Sequence, residues 1–549
     1  MWKTSQGTID LTSSTKNCVA VQLLGGLGNQ LFQYCSARTL AKRLGATLLL
    51  DCTAKESWDR KFLLDRYFLK AHVADPREIR RTYFEVPGNL GRKITQRIHA
   101  KLPEVIRIGN QPFKILREKR HLHYDDRIEN ISGRIYLIGW WQSYRYFKSR
   151  ADPGLRDGYS EFVEQHHGWL DDYTLFRAFK EKFGGAEWQS WPPRLSNHEP
   201  NSLAEAHREL AEQLSMLKYV QFLAHRQWEE LRGQLGHWGV FLGGDLAFSP
   251  CRESVEVWAH RELFDLSRAV GAPPDAFSST GQRWGLPMPD WERMRARNFD
   301  FLRMRIRHAR QLYDVLRIDH VVGLFRAYGY PVGDEIGGEF DPATEAAQRA
   351  QGEEIMRIVL EEAGPMQIVA EDLGVIPKFV RETLATLAIP GYKVMRWEKQ
   401  KSAGANTDQR FVNPADYPLV SLATTGTHDT DTLVEWWATI SEDERRRLIG
   451  GLGLAAHADC SRAKLDEPIL DAILERVCAS PAQLVVTPIQ DLFGWDGRIN
   501  FPGTISYANW NWRLPFDLER GLENPRVRER AARIRAMCEK TARFSPNPR

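Results

Sequence analysis

Three carboxylic acids, Asp319, Glu371 and Asp429, stand at the ends of short apolar runs of the sequence. Arg317 precedes Asp319 by two positions, so on a strand both side chains point to one face, where the positive charge favours the ionised carboxylate that a nucleophile needs. Glu371 follows the apolar stretch Ile368–Ala370, and partial removal from water there raises the pKa of its carboxyl, as a general acid requires. One acid of low pKa beside one of high pKa is the division of labour in retaining glycoside chemistry.

Six apolar runs beyond residue 238 end on polar or charged side chains, and helical sequence usually follows each of them. This alternation predicts an α/β fold of the (β/α)8-type TIM barrel, in which parallel strands carry their functional side chains to one rim. A complete barrel has eight strands, so we expect an incomplete barrel with about six recognisable strands. The runs are Val240–Asp245, Val315–His320, Gln367–Asp372, Tyr392–Trp397, Ser421–Asp429 and Leu484–Asp491.

Each acid taken alone also has a purely structural interpretation. Asp and Glu at strand ends often cap the next helix or pair with a nearby Arg. His428, beside Asp429, offers a donor for a sugar hydroxyl, but a single His is more often an ordinary hydrogen-bonded residue. The trio of acids on three such strands favours the catalytic interpretation.

The first part of the chain has a different pattern. Val19–Leu24 is a β-branched and aliphatic run, Gly25–Gln30 is a glycine-rich loop, and Leu31–Leu44 has apolar residues at helical spacing before the next strand, Ala46–Asp51. This predicts a βαβ unit of a partial Rossmann-like α/β segment. The glycines suit either a phosphate-bearing ligand or a tight turn into a helix.

Residues 148–158 are polar and contain Pro and Gly close together, so we expect a domain boundary near residue 150. A first domain would comprise residues 1–150, and residues 151–549 would form the barrel with helical insertions. Two stretches beyond the boundary, Trp169–Phe179 and Leu203–Leu231, read as amphipathic helices.

Composition limits the classes of partner. The 75 Lys and Arg residues nearly balance 71 Asp and Glu, a net charge of +4 over 549 residues, which argues against nucleic acid and membrane surfaces as partners. The start lacks the apolar core of a signal peptide, and no stretch reaches the roughly 18 apolar residues of a spanning helix, so we expect a cytoplasmic protein. The seven cysteines are scattered, without Cys-x-x-Cys spacing, and fit neither a disulfide framework nor a zinc site.

Several motifs resemble one family of enzymes. Arg317–His320, Ala370–Gly374 and Gly426–Asp429 resemble signature strands of the 4-α-glucanotransferases, also called amylomaltases or disproportionating enzymes, of glycoside hydrolase family 77. The resemblance covers roughly residues 156–540. Further stretches that agree are Trp169–Lys180, Gly244–Leu246, Pro273–Gly285, Pro390–Val394 and Arg498–Thr504.

The resemblance implies a retaining double displacement on α-1,4-glucans without organic cofactor or metal. Asp319 would attack the anomeric carbon, Glu371 would act as acid and then as base, and Asp429 would hold the 2- and 3-hydroxyls. The acceptor would be the 4-hydroxyl of another glucan or glucose. The resemblance further implies substrate binding by Arg317, His428, Asn500, Asp245, Asp275, Gln282 and Trp284.

Some family features are absent or changed. The usual Asp-Ser-Ala-Asp-Val-Trp motif appears as Glu253–Trp258, and Thr430 stands where Asn is common. The first two barrel strands of the family, with their part of the donor pocket, have no counterpart. In their place, Gly25–Tyr34 and Gly139–Phe147 resemble the N-terminal half of an α-1,2-fucosyltransferase, but the His-x-Arg-Arg-Gly-Asp motif that binds the phosphates of GDP-fucose does not occur.

Two alternatives to a glucanotransferase therefore stay open. One is a glycosyltransferase that uses a nucleotide sugar bound by the N-terminal sheet. The other is a non-catalytic product of gene fusion or sequence misassembly that joins two truncated halves near residue 155.

Overall fold

The computed structural model of the chain describes residues 17–53, 64, 71–75, 77, 79–82, 105–108, 111–119, 124–142, 146, 158–273, 281–333, 337–400, 410–454, 459–502, 504, 506–516 and 518–543. The chain divides into two compact units, residues 1–226 and residues 227–549. The expected domain boundary near residue 150 stays a prediction. In the described part of the chain, no helix has the length and apolar character needed to cross a membrane.

Seven strands form one sheet in the first unit: β1 (Cys18–Gln22), β2 (Thr47–Asp51), β3 (His72–Val73), β4 (Ile79–Thr82), β5 (Val105–Ile108), β6 (Gln111–Arg117) and β7 (Arg134–Ile138). Their spatial order is β3-β2-β1-β7-β6-β5-β4. The pairs from β3 to β6 are parallel, and the last two pairs are antiparallel. This is the mixed topology of a Rossmann-like sheet with an antiparallel edge.

The predicted βαβ unit is confirmed, since helix α1 (Leu27–Leu44) joins the parallel neighbours β1 and β2. Gly25 before the helix has a positive φ of 72°, and a Cβ there would lie 2.8 Å from the ring of Trp140. The tight turn and the close approach of this ring both require glycine. Val19 and Val21 of β1 pack with Leu40 of α1 in the core of the unit.

The other helices of the first unit follow residue 158. The stretch Trp169–Phe179 lies within α2, as predicted. The prediction of one helix over Leu203–Leu231 is wrong, because the helix is interrupted at Leu210, and each part buries its own apolar side chains. The helices are α2 (Tyr159–Lys182), α3 (Pro193–Ser196), α4 (Pro200–Glu209) and α5 (Ala211–His237), the last of which ends in the second unit.

Six parallel strands form the main sheet of the second unit: β8 (Gly243–Ala247), β11 (Val315–Asp319), β14 (Gln367–Ala370), β15 (Gly391–Val394), β16 (Ser421–Thr424) and β17 (Leu484–Val485). Their spatial order follows the chain from β8 to β17. Each predicted run overlaps one strand, so the expectation of six strands is confirmed. Among the described residues, the outer edges of β8 and β17 have no paired strand.

A second, antiparallel sheet of the same unit has the order β10-β9-β12-β13, from β9 (Phe264–Ala272), β10 (Gln282–Pro289), β12 (Ala327–Pro331) and β13 (Glu339–Asp341). Helices follow most strands of the parallel sheet, as in βα units. They are α6 (Val255–Ala259), α7 (Trp291–Ala296), α8 (Asp300–Leu312), α9 (Val322–Phe325), α10 (Glu345–Ala363), α11 (Lys378–Thr386), α12 (Leu433–Thr439), α13 (Glu442–Gly451), α14 (Glu467–Cys478), α15 (Ile489–Phe493), α16 (Leu518–Glu523) and α17 (Pro525–Lys540).

Strand β11 shows how the sheet separates apolar from functional side chains. Leu316 and Ile318 are buried, with exposures of 0% and 1%, and they alternate with Arg317 and Asp319. Because successive side chains of a strand point to opposite faces, Arg317 and Asp319 share a face. The parallel register pairs Arg317 with Asp245 of β8, which places an acid beside the cation.

Asp314, just before β11, links three segments near the amino end of the sheet. Its carboxylate accepts hydrogen bonds from the backbone amide of Leu242 at 2.9 Å and from Nη2 of Arg232 at 2.6 Å. Although burial opposes the charged form, these two donors lower the pKa of Asp314. Its contribution to stability is therefore complete above the ordinary Asp pKa, about 3.9, and disappears as the pH falls through the lowered value.

We expect Asp314→Asn to lower the free energy of unfolding by about 1.5–3 kcal/mol at pH 7, since hydrogen bonds to a charged group are lost. The difference from wild type should shrink toward pH 3. Urea unfolding at pH 7 and at pH 3 measures this difference in the free energy of unfolding. In the control Glu475→Gln, which breaks an exposed pair with Lys540, we expect less than about 1 kcal/mol. Equal losses in the two variants would contradict this role of Asp314.

Candidate active site

The guanidinium of Arg317 lies among three carboxylates at the carboxyl end of the parallel sheet. Its Nη1 donates to both oxygens of Asp245, at 2.9 and 2.8 Å. Its Nη2 lies 2.7 Å from Oδ1 of Asp319 and 3.8 Å from Oε2 of Glu371. Although burial opposes the charged form, the charges of Asp319 and Asp245 raise the pKa of Arg317, so this cation is permanent.

Glu371 is buried immediately after β14 and is held by two backbone donors. Its Oε2 accepts from the amide of His320 at 2.7 Å, and its Oε1 accepts from the amide of Leu373 at 2.9 Å. His320 has a positive φ of 45°, which residues other than glycine seldom adopt. Burial raises the pKa of Glu371, and the His320 amide and the charge of Arg317 oppose this shift in part. The direction is the one predicted from the sequence.

The carboxyl groups of Asp319 and Glu371 lie close together. Nη2 of Arg317 is 2.7 Å from one oxygen of Asp319 and 3.8 Å from one oxygen of Glu371, so these oxygens are separated by at most the sum of the two distances, 6.5 Å. Retaining glycosidases hold their two carboxyl groups about 5–5.5 Å apart, whereas inverting enzymes leave about 6.5–9.5 Å for a water molecule. The spacing therefore favours direct attack by one carboxylate.

Exposure separates the two acids further. The side chain of Asp319 is 42% exposed and that of Glu371 only 10% exposed. An accessible carboxylate beside a permanent cation suits a nucleophile, and a buried carboxyl that keeps its proton to higher pH suits a general acid.

Asp429 lies on the loop between β16 and α12, where the segment that begins at Arg498 holds it. Nδ2 of Asn500 donates to Oδ1 of Asp429 at 2.6 Å, and the amide of Asn500 donates to the carbonyl of His428 at 3.1 Å. Nε2 of His428 lies 3.4 Å from Oδ2 of Asp429. Arg498 donates to the backbone carbonyl of Asp429 and pairs with Asp431 at 2.8 Å. This segment thus orients both the main chain and the carboxylate of Asp429.

One cavity of about 820 Å³ joins most of the residues selected from the sequence. Its volume falls within the range of about 300–1,000 Å³ that is common for ligand pockets. An exposed aromatic ring, Trp397, also lines it, and Trp510 lies 5.2 Å from the ring of His428, measured between centroids. The predicted residues that line the cavity are Asp319, Glu371, Asp429, Arg317, His428 and Asp245.

The other predicted residues have different positions. Asn500 reaches the cavity indirectly, through its hydrogen bond to Asp429. Trp284, on β10, packs edge to face against His320, with ring centroids 4.7 Å apart, and its Nε1 donates to Oε1 of Gln282 at 3.2 Å. Neither β10 side chain is part of the cavity lining. Asp275 lies outside the described residues.

Sequence reasoning missed some contacts of the site. The hydroxyl of Tyr392 lies near Arg317, and burial raises the pKa of this tyrosine while the positive charge of Arg317 opposes the rise. Tyr392 opens one of the six predicted runs, but its contact with Arg317 depends on β15 facing β11 across β14. The amides of His320 and Leu373 are backbone groups, which residue types do not reveal. Arg498 begins the family motif Arg498–Thr504, but no role was predicted for its side chain.

The ionisable groups of the site suit acid–base chemistry. Within the ranges that the structure describes, no group of three or more His, Cys, Asp or Glu residues is placed to hold a metal ion. The carboxylates nearest each other share the cation of Arg317 instead. All seven cysteines are free thiols.

Parallel strands that bring a close pair of unlike carboxyls and a third acid to one cavity define an enzyme of the class that acts on glycosidic bonds. The sequence profile of the 4-alpha-glucanotransferases, glycoside hydrolase family 77, matches residues 135–519. The chain belongs to this family. The match begins within β7, before the residue 156 at which the motif resemblance starts.

Several relatives support the assignment. A 4-alpha-glucanotransferase of Thermus thermophilus is 34% identical over 429 residues, which are 75% of this chain and 81% of that protein. One of Synechocystis is 32% identical over 385 residues, 68% of this chain and 72% of that protein. This chain is a transferase and an enzyme of the same family.

Solved structures agree with the fold. The amylomaltase from Streptococcus agalactiae, in complex with acarbose, superimposes with a TM-score of 0.61 and 23% identity over 96% of this chain and 100% of that chain. The amylomaltase from Corynebacterium glutamicum gives a TM-score of 0.55 and 17% identity over 94% of this chain and 75% of that chain. These structures are of the TIM-barrel type, so the predicted α/β barrel class is confirmed.

We expect Arg317→Met to lower the free energy of unfolding by about 1–3 kcal/mol at pH 7, because it leaves Asp245, Asp319 and Glu371 without their cation while water screens the two more exposed carboxylates. Uncompensated carboxylates have raised pKa values in the folded state, so the loss should diminish as they protonate toward pH 4.5. Urea unfolding at both pH values measures it.

The matched control is Lys393→Met. The side chain of Lys393 is as exposed as that of Arg317, 20%, but it pairs with one carboxylate only, Glu398, at 3.2 Å. We expect a smaller and nearly pH-independent loss. A loss in Arg317→Met that is independent of pH would refute the proposed balance of charges.

Proposed function

We propose that the chain transfers α-1,4-glucan segments to the 4-hydroxyl of an acceptor glucan or glucose by a retaining double displacement. Asp319 is the nucleophile, and Glu371 is the general acid and base. The observation that carries this proposal is that one guanidinium, that of Arg317, contacts both carboxyl groups, with their oxygens no more than 6.5 Å apart by the sum of its two distances.

In the first step, a carboxylate oxygen of Asp319 forms a bond to the anomeric carbon of the donor sugar. The glycosidic bond breaks, and its oxygen takes the proton of Glu371 and leaves as a hydroxyl. In the second step, Glu371 removes the proton of the acceptor 4-hydroxyl, whose oxygen attacks the anomeric carbon and releases Asp319. Two inversions give net retention, and no redox change occurs.

The third acid would stabilise the distorted sugar. Asp429 is oriented by Asn500 and lies beside His428, so both can bind ring hydroxyls. Hydrogen bonds to a 2-hydroxyl that strengthen in the transition state supply several kcal/mol in glycosidases. Asp245 would act mainly by holding Arg317, since both of its oxygens accept from that residue.

The substrates follow from the same relatives. The proteins of Thermus thermophilus and Synechocystis are named 4-alpha-glucanotransferases, and the Streptococcus agalactiae amylomaltase was solved with acarbose, which supports glucan substrates here. Gln282 and Trp284 are proposed for the acceptor side, with Asp275. Trp284 would act there from its position beside His320.

The decisive assay is incubation of the purified chain with maltotriose, followed by analysis for glucose and longer maltooligosaccharides. We expect redistribution by wild type, none by Asp319→Asn, and a loss of about 10²–10⁴-fold in Glu371→Gln, the usual magnitude of acid–base catalysis. Glu362→Gln is the control, because Glu362 is equally buried but binds Arg303 and Arg307 away from the cavity.

A parallel incubation with GDP-fucose distinguishes the alternatives. GDP release would support a nucleotide-sugar transferase. If folded protein neither redistributes maltotriose nor releases GDP, the non-catalytic fusion product is supported. Near-normal turnover of maltotriose by Glu371→Gln would remove Glu371 from its role.

The raised pKa of Glu371 makes a further prediction. A general acid must be protonated, so kcat/KM for maltotriose should fall with rising pH only above the ordinary Glu pKa of about 4.3. With α-maltotriosyl fluoride as donor, whose leaving group needs no proton, the formation of the covalent intermediate should lack this basic limb. An unchanged limb for the fluoride would assign the ionisation to another group.

For the N-terminal segment we propose a Rossmann-like remnant similar to the N-terminal half of an α-1,2-fucosyltransferase. The parallel order of β2, β1, β7 and β6 and the glycine turn at Gly25 support this proposal. A domain boundary near residue 150 is part of it. The cytoplasmic location and the exclusion of nucleic acid and membrane partners stay predictions.

A further inference from the structure

Arg396, two residues beyond β15, is a buried cation that points at backbone rather than at carboxylates. Arg396 is only 4% exposed, and its guanidinium carbon lies 4.9 Å from the centroid of the Trp436 ring. Nε donates to the carbonyl of Thr425 at 3.0 Å, and Nη1 donates to the carbonyl of Asp431 at 2.9 Å. Arg396 thus joins two carbonyls six positions apart in the chain.

These two carbonyls bracket the loop that carries His428 and Asp429. The loop is packed tightly against the guanidinium, because a Cβ on Gly426 would lie 3.0 Å from Nη2 of Arg396 and 2.6 Å from Oγ1 of Thr430. The planar fork of an arginine can reach two carbonyls at once, whereas an ammonium is a point donor.

A buried carboxylate, that of Asp491, also binds both ends of the loop. Asp491, 0% exposed, accepts from Oγ1 of Thr425 at 2.5 Å and from the amide of Leu433 at 2.6 Å. Arg396 and Asp491 therefore hold both ends of the loop by hydrogen bonds from opposite charges. Arg396 binds a carbonyl on each side of Asp429.

We propose that Arg396 is a positioning residue for glycosyl transfer, which fixes the loop so that the carboxylate of Asp429 faces the sugar attacked by Asp319. The inference rests on the proposed function. A misplacement of about 1 Å of a catalytic group can cost 10²-fold in rate. Substrate binding by the rest of the cavity should change less than turnover.

The test is the variant Arg396→Met, which keeps the length of the side chain and removes its donors. Transfer from maltotriose should show kcat lower by about 10–100-fold, a range set by such a misplacement, with KM within about threefold of wild type. Arg396→Lys, which keeps one donor and the charge, should recover part of the kcat.

The matched control is Arg445→Met. Arg445 is also buried, donates to two carbonyls, those of Trp437 and Cys460, and packs over the ring of Trp437. Neither Trp437 nor Cys460 lines the cavity, whereas Asp431, whose carbonyl Arg396 binds, does. Its loss should reduce stability to a similar extent and leave kcat within about twofold of wild type.

A double-mutant cycle with Asp429→Asn separates positioning from general damage. With α-maltotriosyl fluoride as donor, Arg396→Met should slow transfer in the wild-type background and change it less than about twofold in Asp429→Asn, since the group it positions is already altered. If Arg396→Met does not fold, the cycle is run with Arg396→Lys.

Three results would overturn the inference: equal loss in both backgrounds, the same loss of kcat in Arg445→Met, or an effect on KM alone. Absence of glucan redistribution by wild type would instead overturn the proposed function. The two failures are therefore distinguishable.

Discussion

The site depends on a single half-buried cation. Three carboxylates, those of Asp245, Asp319 and Glu371, lie around the guanidinium of Arg317, two of them within 3 Å. Without the cation, like charges this close could not all be ionised. The planar, permanently charged fork of arginine can serve two partners in fixed directions, which a lysine could not do. The register of β8 against β11 and the end of β14 must therefore be held accurately.

The same cation serves two acids that must differ. Asp319 is largely accessible, whereas Glu371 is enclosed and bound by two backbone amides. His320, whose amide donates to Glu371, has a left-handed backbone conformation. The ring of His320 packs against Trp284 of the antiparallel sheet. The second sheet thus supports Glu371 of the first, and the two carboxyl groups differ in environment mainly through burial.

Sequence patterns predicted the elements better than their ends. All six apolar runs overlap a strand of the parallel sheet, and the βαβ unit at Val19–Asp51 is present. Five of the six strands end one to six residues before the apolar runs do, so Asp319 ends β11, whereas Glu371 and Asp429 lie one and five residues past β14 and β16. The single helix predicted over Leu203–Leu231 failed, since no Gly or Pro marks the interruption at Leu210 and tertiary packing of each part decides it.

Residue types and spacing were sufficient to determine the parallel α/β architecture, the choice of three acids that line one cavity, and the direction of the pKa shift of Glu371, because period-two alternation and strand ends are local properties. Only the tertiary structure decided that both carboxylate oxygens of Asp245 accept from Arg317, that Tyr392 lies near the same cation, and that Arg396 binds two carbonyls of the loop of Asp429. These contacts join residues 29 or more positions apart, and they depend on strand register, loop conformation and backbone donors, none of which is written in the type of any single residue.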